Sequence, residues 1–382
     1  MKSHYSRFLA AAPGRLHFAA HSHHPWPDVT RDAQIEAWDD AARLADLKWD
    51  RIFGAVAKEA RGHIARILDL PAADQIAFAP NTHEFLLRLL SCFPAGQRLK
   101  VVTTDSEFLS FSRQMARLEE DDLVHVVRVP TEPFSTFTPR FIEAAETPDV
   151  DLVFMSQVFF NSGFVAPDLE AIVNGASPRA MVVIDGYHGF FAIPTSLRRV
   201  ADRMFFLAGG YKYAQSGEGV CFLAVPQGFD RRPLNTGWFA GFGSLETGVF
   251  DRVGFSNDGF RFMGATFDPT GLYRFNAVAR LFEASGLSVR RVDDHVKALQ
   301  RRFLSLLEAR EDACLSPADL IAPEGGVAGL GHFLTFRRPD AGAIAHGLAA
   351  KNVIVDHRGD RLRFGFGAYH DDADVAALLQ HL

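Results

Sequence analysis

The 382-residue sequence predicts an α/β protein in two parts. The first is a mostly parallel sheet flanked by helices, and the second a smaller α+β domain. Three observations predict this. Short apolar runs alternate with stretches of helical period as far as about Val225. The strongest of those runs are apolar at nearly every position, as strands buried on both faces are. Beyond a glycine- and phenylalanine-rich irregular region from about Asn235 to Thr266, the order becomes helix, strand, helix, strand pair, helix. The expected division is residues 1–265 for the large domain and 266–382 for the small one, with the extreme N-terminus free to pack on the latter.

In chain order, "RDAQIEAWDDAARLADLKWDRIFGAVAKEARGHIARIL" carries apolar residues at helical spacing without proline and reads as one or two amphipathic helices. "QIAFAP" reads as a strand. "NTHEFLLRLLSCF" follows as a helix capped by Asn81 or Thr82. "LKVVTT" is a strand, "EFLSFSRQMARLEE" a helix and "DLVHVVRVP" a strand. "DLVFMSQVFF" and "AMVVIDG" are buried strands separated by the helix "PDLEAIVNGA". "DRMFFLAGG" and "GVCFLAVP" close the first part. A long helix starts near Thr270. "VAGLGHFLTFRR", "DAGAIAHGLAAKN", "VIVDHRGDRLRFGF" and "DDADVAALLQHL" then read strand, helix, strand pair and helix.

Composition narrows the function. Acidic and basic residues are mixed along the length and sum to -6, with no basic stripe for nucleic acid. No apolar run approaches the roughly 18 residues of a membrane helix. Cys92, Cys221 and Cys314 are widely spaced and odd in number, so neither a disulfide framework nor a zinc site is expected. His21, His23 and His24 in "HSHHPWP" lack acidic or cysteine partners nearby, and no metal is expected. A soluble cytoplasmic protein acting on a small molecule fits these features.

One lysine stands out. Among 40 basic residues the lysines are only Lys2, Lys48, Lys58, Lys100, Lys212, Lys297 and Lys351. Lys212 lies in "AGGYKYAQSGEG", directly after the apolar run "DRMFFLA". Arginine can neither be deprotonated nor form an imine, and a desolvated lysine can do both. Taken alone, the segment reads more simply as a strand-end lysine whose head reaches water.

In open α/β sheets, ligands bind at the carboxyl ends of the strands. The residues just after the strands are Asn81, Thr82 and His83, then Glu107 and Phe108, Ser156, Asp185 with His188, and Lys212. They comprise a helix N-terminus for an anion, an aromatic plate, a carboxylate and an amine. Pyridoxal 5′-phosphate requires that set. Its phosphate takes the helix N-terminus, its ring the aromatic face, its ring nitrogen the aspartate and its aldehyde the lysine.

These segments resemble the class V aminotransferase superfamily of fold-type I pyridoxal phosphate enzymes, and most closely kynureninases, over nearly the whole chain. "VVIDGYHGFFAIPTSL" is similar to that family's Asp-x-x-His strand end, and "GYKYAQSGEGVCFL" to its Tyr-Lys-Tyr segment. The resemblance implies Lys212 as the Schiff-base lysine, Tyr211, Asn81 and Thr82 on the phosphate, Phe108 on the ring, and Ser156, Asp185 and His188 around the cofactor. It places Trp238 of "GWF" there too. Gly264 and Thr266 of "FMGATFDP" would reach the neighbouring subunit's phosphate, so a homodimer with shared active sites is implied. Arg363, with Arg358 nearby, would hold the substrate carboxylate.

Two departures accompany the resemblance. The hydroxyl that relatives carry two or three residues before the lysine is absent at Gly209 and Gly210. The Pro-Ser-Asp that follows the phenylalanine in kynureninases is Leu109-Ser110-Phe111. The implied activity is hydrolytic Cβ–Cγ cleavage of an amino acid. The alternatives are transamination or β-elimination, then cysteine desulfuration, for which Cys314 lacks the loop context, and cofactor binding without turnover.

Overall fold

A computed structural model describes residues 1–241, 253–310 and 313–382. Part of the irregular region expected between Asn235 and Thr266, residues 242–252, lies outside the described residues.

The strands in chain order are β1 (Leu16–His17), β2 (Ile76–Ala79), β3 (Leu99–Thr104), β4 (Val124–Val129), β5 (Leu152–Ser156), β6 (Met181–Asp185), β7 (Met204–Gly209), β8 (Cys221–Ala224), β9 (Phe333–Arg337), β10 (Val353–Ile354), β11 (Asp356–Arg358) and β12 (Arg361–Gly365). Seven form one sheet in the order β2-β8-β7-β6-β5-β3-β4. β3 to β7 pair in parallel, and β8 runs antiparallel to both β2 and β7. β2 therefore points the same way as the parallel strands, and the carboxyl ends of β2, β3, β5, β6 and β7 share one edge. β2, β7 and β8 are buried at every position, which is why they read as unbroken apolar runs.

The helices fall largely where periodicity puts them. The first long stretch forms Val29–Leu44 and Ala57–Leu68, joined by a 3-10 turn at Ala45–Leu47, a short α-helix at Lys48–Arg51 and a π-helical segment at Ile52–Val56 that runs on into Ala57–Leu68. Helix Phe137–Ala145 carries no expectation above; its FTPRFIEAA has a proline at the third position and is too short to show a clear period. Helix Thr270–Ala284 packs on Val29–Leu44, with Tyr273 Oη donating to Asp40 Oδ2 at 3.0 Å and Arg274 Nη1 to Gln34 Oε1 at 2.6 Å. Among the described residues no helix is long and apolar enough to cross a membrane.

A second, antiparallel sheet has the order β11-β12-β9. The N-terminal segment reaches it: β1 pairs in parallel with β10, and Ala19 bridges to Gly365. Gly365 has to be glycine, because a Cβ there would run into the His21 ring and the Ala20 backbone. That close approach carries His21 to the edge where the parallel strands end.

Candidate active site

Lys212 follows β7 in a connection that turns back into β8. The Gly210 N–H donates to the Val220 carbonyl at 2.8 Å and closes the loop. Gln215, Gly217 and Gly219 all have positive φ, so the loop depends on glycine where the chain reverses. Arg274 Nε donates to the Ser216 carbonyl at 2.6 Å and pins the loop to helix Thr270–Ala284. The lysine is therefore rigidly presented and 6 % exposed.

Its surroundings account for its chemistry. Lys212 Nζ lies 2.7 Å from His188 Nε2. It is 5.4 Å from the ring centre of Phe108, 5.2 Å from Tyr187 and 6.0 Å from Tyr211. Burial pulls the ammonium down to about 7; the Asp185 carboxylate opposes that shift and the Arg363 cation adds to it. Burial likewise raises the Asp185 carboxyl above its ordinary range. His188 is held well below the usual imidazole range by burial and by the neighbouring lysine, so it is neutral and its Nε2 can accept from Nζ.

Asp185 ends β6, and its Oδ1 accepts the Tyr187 N–H at 2.8 Å. Ser156 ends β5 directly beside it in register. The Ser156 side chain is engaged by a residue without an assigned role above, Glu107. Ser156 Oγ lies 2.5 Å from Glu107 Oε2, and the Ser156 N–H and Thr104 Oγ donate to Oε1 at 3.2 and 2.5 Å. Burial pushes the Glu107 carboxyl up to about 7 against those hydrogen bonds, and the Asp185 charge adds to the rise. Its position directly after β3 was the available signal; nothing local announces that it folds under Ser156.

Asn81, rather than Thr82, caps helix Thr82–Leu90, its Oδ1 accepting from the Glu84 N–H at 3.0 Å. The helix N-terminus opens on the shared strand edge, where an anion is favoured. Phe108 is 39 % exposed and meets Phe160 edge-on, leaving a face open beside Lys212. Tyr211 packs edge-on against Tyr187.

Arg363 and Arg358 separate clearly. Arg363 is 2 % exposed, lies over the Phe160 ring and donates from Nη1 to the Phe160 carbonyl at 2.9 Å. Its Nη2 pairs with Asp356, its cross-strand partner in the hairpin turned by Gly359 and Asp360. Its buried Nε has no partner. Arg358 is exposed and pairs with the other oxygen of Asp356 at 2.8 Å. Two guanidinium groups against one carboxylate leave a single positive charge. The nearby His21 is held neutral because burial takes it down to about 3.

Trp238, Gly264 and Thr266 form a second group. Trp238 Nε1 donates to Thr266 Oγ at 3.2 Å, and Gly264 lies against the buried Arg88 of helix Thr82–Leu90. The three histidines diverge. His21 stacks on Phe333, His24 bonds the Pro25 carbonyl at 2.7 Å, and His23 lies between Trp26 and Tyr211.

A glycine at 209 is required by packing. A Cβ there would run into the Tyr187 hydroxyl and Cys221 Sγ. The missing hydroxyl noted in the sequence is therefore excluded by its neighbours.

These donors suit pyridoxal 5′-phosphate. An amine poised near neutrality, a half-buried carboxylate, ring faces and a helix N-terminus meet at one edge, and a buried arginine with an unpartnered Nε stands beyond them. When bound, that group supplies an aldehyde that condenses with amines and a ring that accepts electron density from the α-carbon.

Comparison with known proteins agrees. The profile of the family described as aminotransferase class-V matches residues 49–378. A kynureninase of Geobacillus thermodenitrificans (strain NG80-2) is 26% identical over 310 residues, covering 75% of this chain and 67% of its own length. Among solved structures, the cystine C–S lyase C-DES in complex with its reaction product cysteine persulfide superposes with a TM-score of 0.79 at 16% identity, over 97% of this chain and 98% of that one. A C-DES mutant with glycine covalently linked to its cofactor gives 0.81 at 16% identity, over 98% and 97%. A cysteine desulfurase from Thermococcus onnurineus NA1 gives 0.77 at 17% identity, over 98% and 96%. With its own site suited to the cofactor and a family match along most of its length, this chain belongs to the aminotransferase class-V family and is a pyridoxal 5′-phosphate-dependent enzyme.

Proposed function

We propose that the enzyme hydrolyses the Cβ–Cγ bond of an amino acid in the manner of a kynureninase, with Lys212 as the cofactor-bearing lysine and base. The observation that carries this is the Lys212 environment: a buried amine near neutrality, bonded to neutral His188, facing Asp185 and flanked by Phe108, Tyr187 and Tyr211. An amine so poised can take a proton at Nζ from a substrate Cα and return it. The kynureninase relative supports the choice of reaction.

A desulfurase requires a reactive thiol at the site. Burial pushes Cys92 and Cys221 up to about 12, which makes both inert, and Cys314 is exposed near the C-terminus, its N–H bonded to the Leu382 carbonyl. The structural likeness to C-DES keeps β-elimination as the second reading. Product analysis with kynurenines and with cystine decides. An anthranilate-type product with alanine supports hydrolysis; pyruvate with ammonia supports elimination; a keto acid with pyridoxamine phosphate supports transamination. The last two results overturn the first reading.

Arg363 is the proposed holder of the substrate carboxylate. Its planar fork can bind two oxygens at once, and the unpartnered Nε offers one of the donors. Arg363→Lys is expected to lower kcat/KM by roughly ten- to a hundredfold, the worth of one charge-assisted hydrogen bond, with cofactor content unchanged. The exposed Arg358, replaced likewise, is expected to change little. The reverse order in steady-state kinetics would reassign the carboxylate.

The reading also includes a cytoplasmic homodimer, divided near residue 265, in which Gly264 and Thr266 complete the partner's phosphate site. Three free cysteines suit a reducing compartment. A fully active monomer in sedimentation at assay concentration would remove the shared-site part.

A further inference from the structure

Tyr187 lies between Asp185 and His188, with its ring beside Lys212. Its hydroxyl points elsewhere, 3.5 Å from Cys221 Sγ. Cys221 opens β8 and sits in register between Ala79 of β2 and Gly209 of β7. The backbone N–H of Thr82, the first residue of helix Thr82–Leu90, faces the Cys221 thiol and offsets part of the rise that burial causes in it. The Tyr211 backbone N–H reaches the phenol oxygen. The Tyr187 hydroxyl and the Thr82 N–H thus converge on one sulfur atom at the helix N-terminus, with the Tyr211 N–H at the phenol beside it. The hydroxyl fills the space that a side chain at residue 209 would take.

The phenol proton has no strong acceptor there. Thiol sulfur is a weak acceptor, and 3.5 Å is a long contact. Burial and Cys221 hold the phenol well above its ordinary range, so it keeps its proton and remains a donor at any neutral pH. An anion at the helix N-terminus would provide the acceptor that the sulfur does not.

We propose that Tyr187 Oη–H donates a hydrogen bond to the phosphate of the cofactor, supplying the hydroxyl contact that Gly209 and Gly210 do not. Tyr187 and Gly209 then form a matched pair: the glycine leaves the space and the tyrosine, entering from the neighbouring strand end, brings the donor. The proposal rests on the phosphate lying at Asn81 and Thr82, and it does not depend on which reaction the enzyme performs.

Tyr187→Phe tests it, because phenylalanine keeps the ring and its packing and removes only the hydroxyl. Wild-type and variant proteins are stripped of cofactor and titrated with pyridoxal 5′-phosphate and with pyridoxal, which has the same ring and aldehyde without the phosphate. The expected result is a loss of roughly ten- to a hundredfold in affinity for the phosphate form, with pyridoxal affinity unchanged. Inorganic phosphate should raise the Tm of the stripped wild type more than that of the variant. Equal losses for both ligands, or no loss for either, would overturn the proposal, since the hydroxyl would then serve the fold or the ring alone. A wild-type protein that binds the two ligands equally would instead overturn the placement of the phosphate at Asn81 and Thr82, and the proposal with it.

Discussion

Lys212→Ala is expected to leave a folded protein with turnover reduced by at least about a thousandfold, within the range a lost general base commonly produces. The substitution removes the one amine that faces Asp185 and bonds to His188. Its effect on folding should be small or favourable, because burying that amine costs free energy, as the fall of its pKa to about 7 shows. Two measurements check the assignment. Circular dichroism should superpose on the wild type. Borohydride reduction of the wild type should fix the cofactor covalently to Lys212, and peptide mapping that found the label on Lys100 or Lys297 instead would end the reading. Lys297 is a fair control. It is also buried, but its Nζ donates to backbone carbonyls, among them that of Val327 at 2.8 Å, so it is committed to the fold.

Asp185 carries the second large effect. Asp185→Asn is expected to lower turnover by at least about a hundredfold, because only a carboxylate can stabilise a protonated ring nitrogen. Asparagine is the cleaner substitution here. Asp185 Oδ1 accepts the Tyr187 N–H, and alanine would release that turn as well as remove the charge. Asp185→Glu should retain part of the activity. A harmless Asp185→Asn in steady-state assays would show that the ring nitrogen lies elsewhere. A pH effect accompanies the substitution. Burial raises the folded-state pKa of Asp185 to about 6, above an unfolded value of about 3.9. A raised acid stabilises the fold below its unfolded pKa and loses that contribution as pH rises through the folded one. The cofactor-free wild type should therefore lose, relative to Asp185→Asn, stability between about pH 4 and pH 6. Parallel Tm curves across that window would contradict the buried state of the carboxylate.

The gathering of the candidate residues was largely legible in the sequence, for a definite reason. Strands buried on both faces must be apolar throughout, so their ends are visible as the points where polar residues return. Asn81, Phe108, Ser156, Asp185 and Lys212 each occur at such a point, and parallel pairing of β3, β5, β6 and β7 puts those points on one edge. Chain order and composition therefore determined the class of fold, the edge on which the candidate residues gather and the rarity of lysine among 40 basic residues. The pairing of Arg363 with Asp356 was also within reach, since a two-residue turn at Gly359 and Asp360 sets that register.

Tertiary structure alone decided the rest. The antiparallel course of β8 depends on how the loop after Lys212 folds back, and an apolar run has no direction of its own. Glu107 under Ser156 joins residues 49 apart in sequence. The N-terminal segment beside β10 and Gly365, and the Tyr187 hydroxyl in the space left by Gly209, are likewise contacts between distant parts of the chain. Periodicity records which face of an element is buried, because burial acts on each residue separately. Which distant side chain fills a given space depends on the packing of several elements at once, and no local pattern records it.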